Sequence, residues 1–254
     1  MDICKQNMFM ITFTFSVLLT SILFHWTSAV DLTKFKDAKH GIKMGQMIKG
    51  CDDAKTNLEI DWNESPIDYT CFHPKNPLPI QDEIQSKEHC EQLPSAYMPQ
   101  HYCMDKKIKY NTTLPTYGDH RPLWPVFGEY QYVPPQRWLH SIEHGSVVML
   151  YHPCAHPAVV NQLRALVTQC IRKHVITPYR HLAKDRPIAL VTWGCSLEMN
   201  SVNHSEVISF IRRTALKGPE GSYPKEGQFT HKLLKIAMVP LGSNYKDQKL
   251  CPYF

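Results

Sequence analysis

Six side chains that can bind metal ions crowd into the stretch RWLHSIEHGSVVMLYHPCAHP, residues 137–157. They are His140, Glu143, His144, His152, Cys154 and His156. Imidazole and carboxylate ligands in combination suit zinc, copper(II) or iron better than calcium or magnesium, which prefer oxygen ligands alone. The residue types therefore predict a transition-metal site within this stretch.

A single metal ion cannot use both ends of the stretch. The run between His144 and His152 has the composition of a buried strand, and eight residues at about 3.3 Å each separate the two histidines by roughly 26 Å. We expect the site at the first end, where His140, Glu143 and His144 lie together and His120, in the segment GDHRP, can join them. Zinc or copper is the expected ion, with Glu143 as the fourth ligand or as the orienting partner of an imidazole. The histidines at the second end are interpreted as ordinary surface or half-buried residues.

Three other interpretations of the first end stay open. HSIEH has the order H-x-x-E-H of the inverted zinc-protease motif, but that chemistry needs a helix, and Gly145 with a β-branched run follows at once, which disfavours a peptidase. A metal-dependent hydrolase or oxidase would use the same residues around an open coordination position. In a purely structural domain the histidines would only hydrogen-bond to carbonyl groups and contact aromatic rings. No catalytic residue can be assigned, and without G-x-S-x-G or a phosphate-binding glycine loop we expect neither a serine hydrolase nor a nucleotide cofactor.

Hydrophobic periodicity predicts the elements that position these residues. GSVVMLYHP and RPIALVTWGC are short apolar runs rich in β-branched residues, which predicts two buried strands. PAVVNQLRALVTQCIRKHVITP places apolar residues on one helical face, which predicts a helix that begins at Pro157 and ends before Pro178. NHSEVISFIRRTALKG predicts a second helix, with Asn203 or Ser205 as its N-cap and Gly218 beyond its end. This order predicts an α/β or α+β fold with layers of sheet and helix, while the adjacency and direction of the strands stay open.

The chain divides into four segments. Residues 1–29 carry one lysine, a long uncharged apolar run and small residues at the end, the pattern of a cleaved secretory signal peptide; an uncleaved membrane anchor is the alternative. Residues 30–104 lack sustained periodicity and are rich in cysteine and proline, which predicts a loop-rich segment tied by disulfides. Residues 105–217 hold the predicted α/β domain, in which the proline- and aromatic-rich part, 115–138, is expected to be ordered but irregular. Residues 218–254 are interpreted as a C-terminal tail.

Cysteine usage indicates an oxidising compartment. Eight cysteines remain after the signal peptide, which predicts up to four disulfides without fixing their connectivity. They are Cys51, Cys71, Cys90, Cys103, Cys154, Cys170, Cys195 and Cys251. Cys154 and Cys195 each follow a predicted strand, so a bridge between these two is one expectation. The sequons at Asn63, Asn111 and Asn203 are predicted glycosylation sites of a secreted or lumenal protein.

The charge pattern disfavours polyanionic partners. Lys and Arg total 28 against 23 Asp and Glu, a formal net charge of +5, and the basic residues are scattered along the chain. Binding to nucleic acid or to a membrane surface is therefore not expected. Membrane association is expected only if the N-terminal segment stays uncleaved. A protein partner is compatible with the sequence, but no residue indicates which one.

Three blocks of sequence resemble a family of domains of unknown function found in bacteria and animals. The blocks are YGDHRPLWPVFGEY, RWLHSIEHGSVVMLYHP and IALVTWG, all within residues 105–217. By this resemblance, the positions that match the family's motif are His120, His140, Glu143, His144 and Gly145. The family brings no known reaction or ligand. Its animal branch, the tumor protein p53-inducible protein 13 family, implies expression controlled by a tumour suppressor and a link to negative regulation of growth.

The longer animal members are expected to carry a downstream transmembrane segment and cytoplasmic tail, and a membrane-bound role is not expected of this sequence. The residues and the resemblance together predict a secreted or lumenal, disulfide-bonded protein of binding or regulatory type that holds a divalent transition metal. A metal-dependent hydrolase or oxidase that uses the same cluster is the alternative function.

Overall fold

The computed structural model describes residues 31–72, 76–223 and 225–254. The predicted signal peptide, residues 1–29, lies outside the described residues. No helix of the described chain is long and apolar enough to cross a membrane.

One mixed sheet organises the described chain. Its helices are α1 (Pro135–Glu143), α2 (Pro157–Cys170) and α3 (His204–Thr214). Its strands are β1 (Lys36–Asp37), β2 (Gly41–Ile42), β3 (Lys87–Cys90), β4 (Gly128–Tyr130), β5 (Val147–Tyr151), β6 (His174–Pro178), β7 (Ile188–Thr192), β8 (Cys195–Met199) and β9 (Leu233–Ile236). β1 and β2 form a small hairpin, and the other strands form the sheet in the order β3-β8-β7-β5-β6-β4-β9. In this sheet β4, β5 and β6 run parallel and the remaining neighbours antiparallel, which confirms the predicted layered α/β class.

Both faces of the central strands are covered, which explains why these strands are apolar throughout. In β5, Val147 and Met149 pack with α2 and α3, whereas Val148 and Leu150 pack with α1 on the opposite face. α2 connects the parallel neighbours β5 and β6, as a parallel pair requires a crossover connection. The fold therefore has three layers, with α1 and the long loops on one face of the sheet and α2 with α3 on the other.

Two regions contain more regular structure than their sequence patterns indicate. The segment 115–138, expected to be irregular, contains β4 and the first turn of α1, because Pro135 occupies a helical position whose missing amide proton costs nothing. α2 ends at Cys170, and the β-branched run after His174 forms β6. α3 follows its prediction closely, since the side chain of Asn203 accepts the amide proton of Glu206 as its N-cap.

Four disulfides are present: one lies within the loop-rich N-terminal segment, two connect that segment to the layered domain, and one connects the C-terminal tail to it. They are Cys51–Cys103, Cys71–Cys154, Cys90–Cys195 and Cys170–Cys251. The expected Cys154–Cys195 bridge is wrong, because β5 and β7 are antiparallel and Tyr151 pairs with Ile188. The two cysteines therefore follow their strands at opposite ends of this strand pair. Four disulfides indicate an oxidising compartment of the secretory pathway.

The three sequon asparagines, Asn63, Asn111 and Asn203, are all exposed. Their positions leave room for a surface glycan, although Asn203 also caps α3 with its side chain. Glycosylation itself stays a prediction.

Candidate metal centre

α1 presents the first two side chains of the centre. His140 and Glu143 lie three residues apart and therefore share one face of the helix. The helix ends at His144, the C-cap, and Gly145 follows with φ +81°. A Cβ atom on Gly145 would lie 2.6 Å from the Cα atom of Leu216, so only glycine allows this turn and the close packing beneath it.

Two further histidines reach the same point from loops. His101 and His120 face each other across an isolated parallel bridge, in which Tyr102 donates its amide proton to the His120 carbonyl at 3.0 Å. The amide of Arg121 donates to the carbonyl of Gln136 in α1 at 2.9 Å. Backbone hydrogen bonds therefore fix both loop histidines to each other and to the helix.

Two buried ion pairs hold these loops in place. Arg137 on α1 binds the carboxylate of Asp52 through both terminal nitrogens, at 2.6 and 2.9 Å. Arg121, next to His120, binds both carboxylate oxygens of Asp61, through Nε at 2.8 Å and through one terminal nitrogen at 2.5 Å. Bidentate pairs of this kind fix geometry as well as charge, so the helix and the loops are held at a defined distance.

The four side chains converge on one buried point. Their ligand atoms all lie within 4.8 Å of one another, and they come from His101, His120, His140 and Glu143. None of these residues is more than 2% exposed. The Glu143 Oε2 atom lies 3.1 Å from His120 Nε2 and 3.8 Å from His101 Nε2. This spacing suits four ligands around a single small cation.

The hydrogen bonds of the three rings fix where their protons lie. Each ring places Nδ1 against a backbone carbonyl: His101 against Ile42 at 2.8 Å, His120 against Gly118 at 2.8 Å, and His140 against Arg121 at 2.5 Å. A carbonyl oxygen only accepts, so each Nδ1 carries a proton, and in the neutral form of each ring the lone pair of Nε2 points toward the centre. The same outer hydrogen bond orients most metal-binding histidines.

No proton donor therefore faces the point where these atoms meet. His101 Nε2, His140 Nε2 and Glu143 Oε1 are buried without a hydrogen-bond partner among the described residues. Buried polar atoms of this kind normally have a partner. A proton on His120 Nε2 would satisfy the contact with Glu143, but it would leave the other two rings unpartnered. A metal cation would satisfy all four groups at once.

The ionisation of the cluster suits a cation. Burial acts to raise the pKa of the Glu143 carboxyl, and protons turned toward it by His101 and His120 would hold the pKa well below the ordinary range; a bound cation would supply the same positive charge. Burial and the neighbouring imidazoles hold the pKa of His140 well below its ordinary value. At neutral pH the cluster thus offers a carboxylate and a neutral imidazole, the forms that bind metal ions.

The structure brings together three of the four residues that sequence spacing predicts as ligands, namely His120, His140 and Glu143. His144 does not join them. Its buried ring packs against the rings of Trp124 and Tyr223, with centroid distances of 4.3 and 4.9 Å. Burial lowers its pKa to about 3. The inverted zinc-protease arrangement needs both histidines of HSIEH on one ion, so this geometry disfavours it even though the helix is present.

His101 takes the place that spacing assigns to His144. It belongs to the loop-rich segment before residue 105 and precedes Cys103, which forms a disulfide with Cys51. No periodicity or motif in that segment distinguishes His101 from its neighbours. Its backbone bridge to His120 brings it beside the other ligands, and such a pairing between loops cannot be derived from spacing.

Comparison with known proteins adds a family and two partial relatives. A family model described as "Protein of unknown function (DUF3105)" matches residues 101–227, half of the chain. Tumor protein p53-inducible protein 13 of Mus musculus is 32% identical over 94 residues, which cover 36% of this chain and 24% of that protein. The Rattus norvegicus protein of the same name is 34% identical over 67 residues, covering 26% and 17%. The chain thus spans a quarter or less of these relatives, and no solved structure matches it significantly.

Proposed function

As a member of the protein family of unknown function DUF3105, this chain inherits no assigned activity, and we propose that it is a metal-binding protein of the secretory pathway. In this proposal it is secreted or lumenal, of binding or regulatory type, and holds a divalent transition metal. The ligands are His101, His120, His140 and Glu143. The observation that supports the proposal is the direction of the ring protons: all three Nδ1 atoms face carbonyls, which leaves the Nε2 lone pairs and the carboxylate without any donor.

Zinc or copper(II) fits this ligand set best. Three imidazoles and one carboxylate match the preferences of both ions, and zinc takes four such ligands in structural sites. Catalytic metal sites keep a coordination position open for water or substrate. Here four protein ligands surround the point and none is more than 2% exposed, which favours binding over turnover and disfavours the hydrolase or oxidase alternative.

Elemental analysis tests the proposal directly. The mature protein would be secreted from a eukaryotic host, dialysed without chelator and compared with a His140→Ala variant. His174→Ala is the matched control, because His174 is also buried and also places Nδ1 against a carbonyl, that of Ile171 at 2.7 Å, but lies outside the cluster. We expect at least one equivalent of zinc or copper in the parent and in the control, and a loss in His140→Ala.

Absence of metal from all three proteins, each shown to be folded by circular dichroism, would overturn the proposal. The mouse and rat proteins are named as p53-inducible, and no residue of this centre supports a link to growth restraint. Metal binding is therefore the part of the proposal that goes to experiment first.

A further inference from the structure

A second set of buried polar atoms without partners lies on the other side of Glu143. The set consists of His40 Nε2, Glu143 Oε1 and Glu220 Oε2, none of which has a hydrogen-bond partner among the described residues. The Oε2 atom of Glu143 faces His101 and His120 in the first centre, whereas its Oε1 atom faces His40.

Ring stacking and a backbone hydrogen bond position His40 beside Glu143. It lies in the turn between β1 and β2, is 4% exposed, and stacks on the ring of His101 with centroids 4.9 Å apart and planes 18° apart. The amide of His101 donates to the His40 carbonyl at 2.7 Å, which fixes the backbone of the turn. Its Nε2 atom lies 3.8 Å from Glu143 Oε1.

Glu220 approaches from the turn that follows α3. Its amide donates to the carbonyl of Glu143 at 3.1 Å, and its Oε2 atom lies 3.5 Å from His144 Nδ1. The backbone of Glu220 is thus hydrogen-bonded to Glu143, and its unpartnered carboxylate oxygen lies beside His144, the residue that follows Glu143.

We propose that Glu143 bridges two metal ions. In this arrangement Oε2 binds the first ion with His101, His120 and His140, whereas Oε1 binds a second ion with His40 and Glu220. This inference deepens the proposed function and rests on it. Two ligands that each lie about 2.1 Å from an ion are roughly 3 to 4 Å apart, so the 3.8 Å between His40 Nε2 and Glu143 Oε1 suits a shared ion. His144 acts as the positioning residue for the Glu220 carboxylate.

The two ions bind in sequence. Among the described residues, only the first set has its ligand atoms within 4.8 Å of one another, so the second ion must draw Glu220 and His40 inward. Both lie in turns, at 38–40 and 218–222, where small movements are less costly than in the sheet. The first ion therefore binds tightly, and the second follows with lower affinity.

Metal titration of the full secreted chain tests this order. Protein stripped with chelator would be titrated with zinc by calorimetry, and the bound zinc would be counted after gel filtration. We expect two equivalents in the parent and one in each of the volume-preserving variants His40→Gln and Glu220→Gln. Glu64→Gln is the control, because Glu64 also contacts a histidine, His231 at 2.9 Å, on the exposed surface; it should bind two.

Copper(II) gives an independent readout of the same arrangement. Ions bridged by one carboxylate lie about 3.5–4 Å apart and couple magnetically, so the paramagnetic resonance signal of the fully loaded parent should integrate to fewer than two spins per chain. His40→Gln should give one uncoupled spin.

The failures of the two proposals are distinguishable. A parent that binds one ion, and keeps it in His40→Gln, overturns the bridging inference and leaves the proposed function intact. Two ions in the parent and in both variants place the second ion elsewhere and also overturn the inference. No metal in the parent overturns both.

Discussion

Glu143→Gln separates the charge of the candidate metal centre from its shape. The amide keeps the volume of the carboxylate and adds a proton donor opposite His120 Nε2, which lies 3.1 Å from Oε2. In chelator, two facing acceptors would be replaced by a hydrogen bond, typically worth about 0.5–1.5 kcal/mol. We therefore expect the metal-free variant to be about 1 kcal/mol more stable than the metal-free parent. If a protonated His120 occupied the contact instead, the same change would break a buried ion pair and cost about 3–5 kcal/mol.

Added metal should reverse the order of stability. At a metal concentration of about 100 times its dissociation constant, the parent gains about 2.7 kcal/mol. For a protein of this size that gain raises Tm by roughly 5–11 °C. Loss of an orienting partner already lowers metal affinity about 10–100-fold, and the loss of an anionic ligand should cost at least as much. At 100-fold lower affinity, the same metal concentration stabilises the variant by only about 0.4 kcal/mol, or roughly 1 °C.

Thermal unfolding by circular dichroism, with disulfides intact, measures both effects. Parent, Glu143→Gln and the surface control Glu64→Gln would be melted in chelator and in zinc. The control should follow the parent in both conditions. An equal metal-induced rise in Tm in Glu143→Gln and the parent would refute Glu143 as a ligand, and a large destabilisation of the variant in chelator would show that a proton fills the metal-free site.

Two further changes test the support of the centre, and a third tests the protonation of a buried histidine outside it. Asp52→Ala leaves the guanidinium of Arg137 buried at 1% exposure without its anion, so denaturant unfolding should show a loss of about 3–5 kcal/mol in the free energy of unfolding. The apolar pair Asp52→Leu with Arg137→Met should recover most of this loss. A loss below about 1 kcal/mol would show that the ion pair does not hold α1. Gly218→Ala places a Cβ atom 2.2 Å from the Glu143 carbonyl oxygen, so zinc titration should show loss of the second equivalent before the first, and unchanged binding would contradict the role of this turn. Burial lowers the pKa of His174 to about 4, below its unfolded value of about 6.5. The stability that the neutral imidazole contributes is therefore fully present above pH 6.5 and is lost as the pH falls toward 4. Unfolding at pH 7 and pH 4 should therefore show about 3 kcal/mol more loss in the parent than in His174→Gln, and an equal loss would count against this assignment.

Residue types and local spacing selected His120, His140 and Glu143, which the structure brings together, but they disfavoured the helix α1 that carries two of them. His140 and Glu143 lie on α1, and His120 lies in a proline-rich loop whose polar residues differ from their apolar neighbours. His101 could not be predicted, because it reaches the centre through a backbone bridge to a residue far along the chain. His144 was expected as a ligand because it lies four residues from His140, but the helix ends at that residue, and its ring packs against aromatic side chains.

The fold shows the same division between local and long-range information. The apolar runs of β5 and β7 predict buried strands, since each run is short, β-branched and closed by Pro or Gly. Their antiparallel direction depends on which neighbour each strand pairs with, and the sequence pattern of a single strand does not encode that choice. The Cys154–Cys195 expectation was wrong for this reason, because such a bridge requires two neighbouring strands that run parallel and end side by side.

The first centre and the second proposed ion differ in how they can be inherited. All four ligands of the first centre lie within residues 101–227, the part that matches the family model, whereas His40 lies outside it. The carbonyl that accepts the ring proton of His101 also comes from outside, from Ile42. A protein that carries the matched part alone would need another acceptor for that ring, and it would also lack Asp52 and Asp61, the carboxylates that pair with Arg137 and Arg121. The chain before residue 101 thus acts as a brace for ligands that it does not itself supply, since it contributes a ring acceptor and two anions to the support of the first centre.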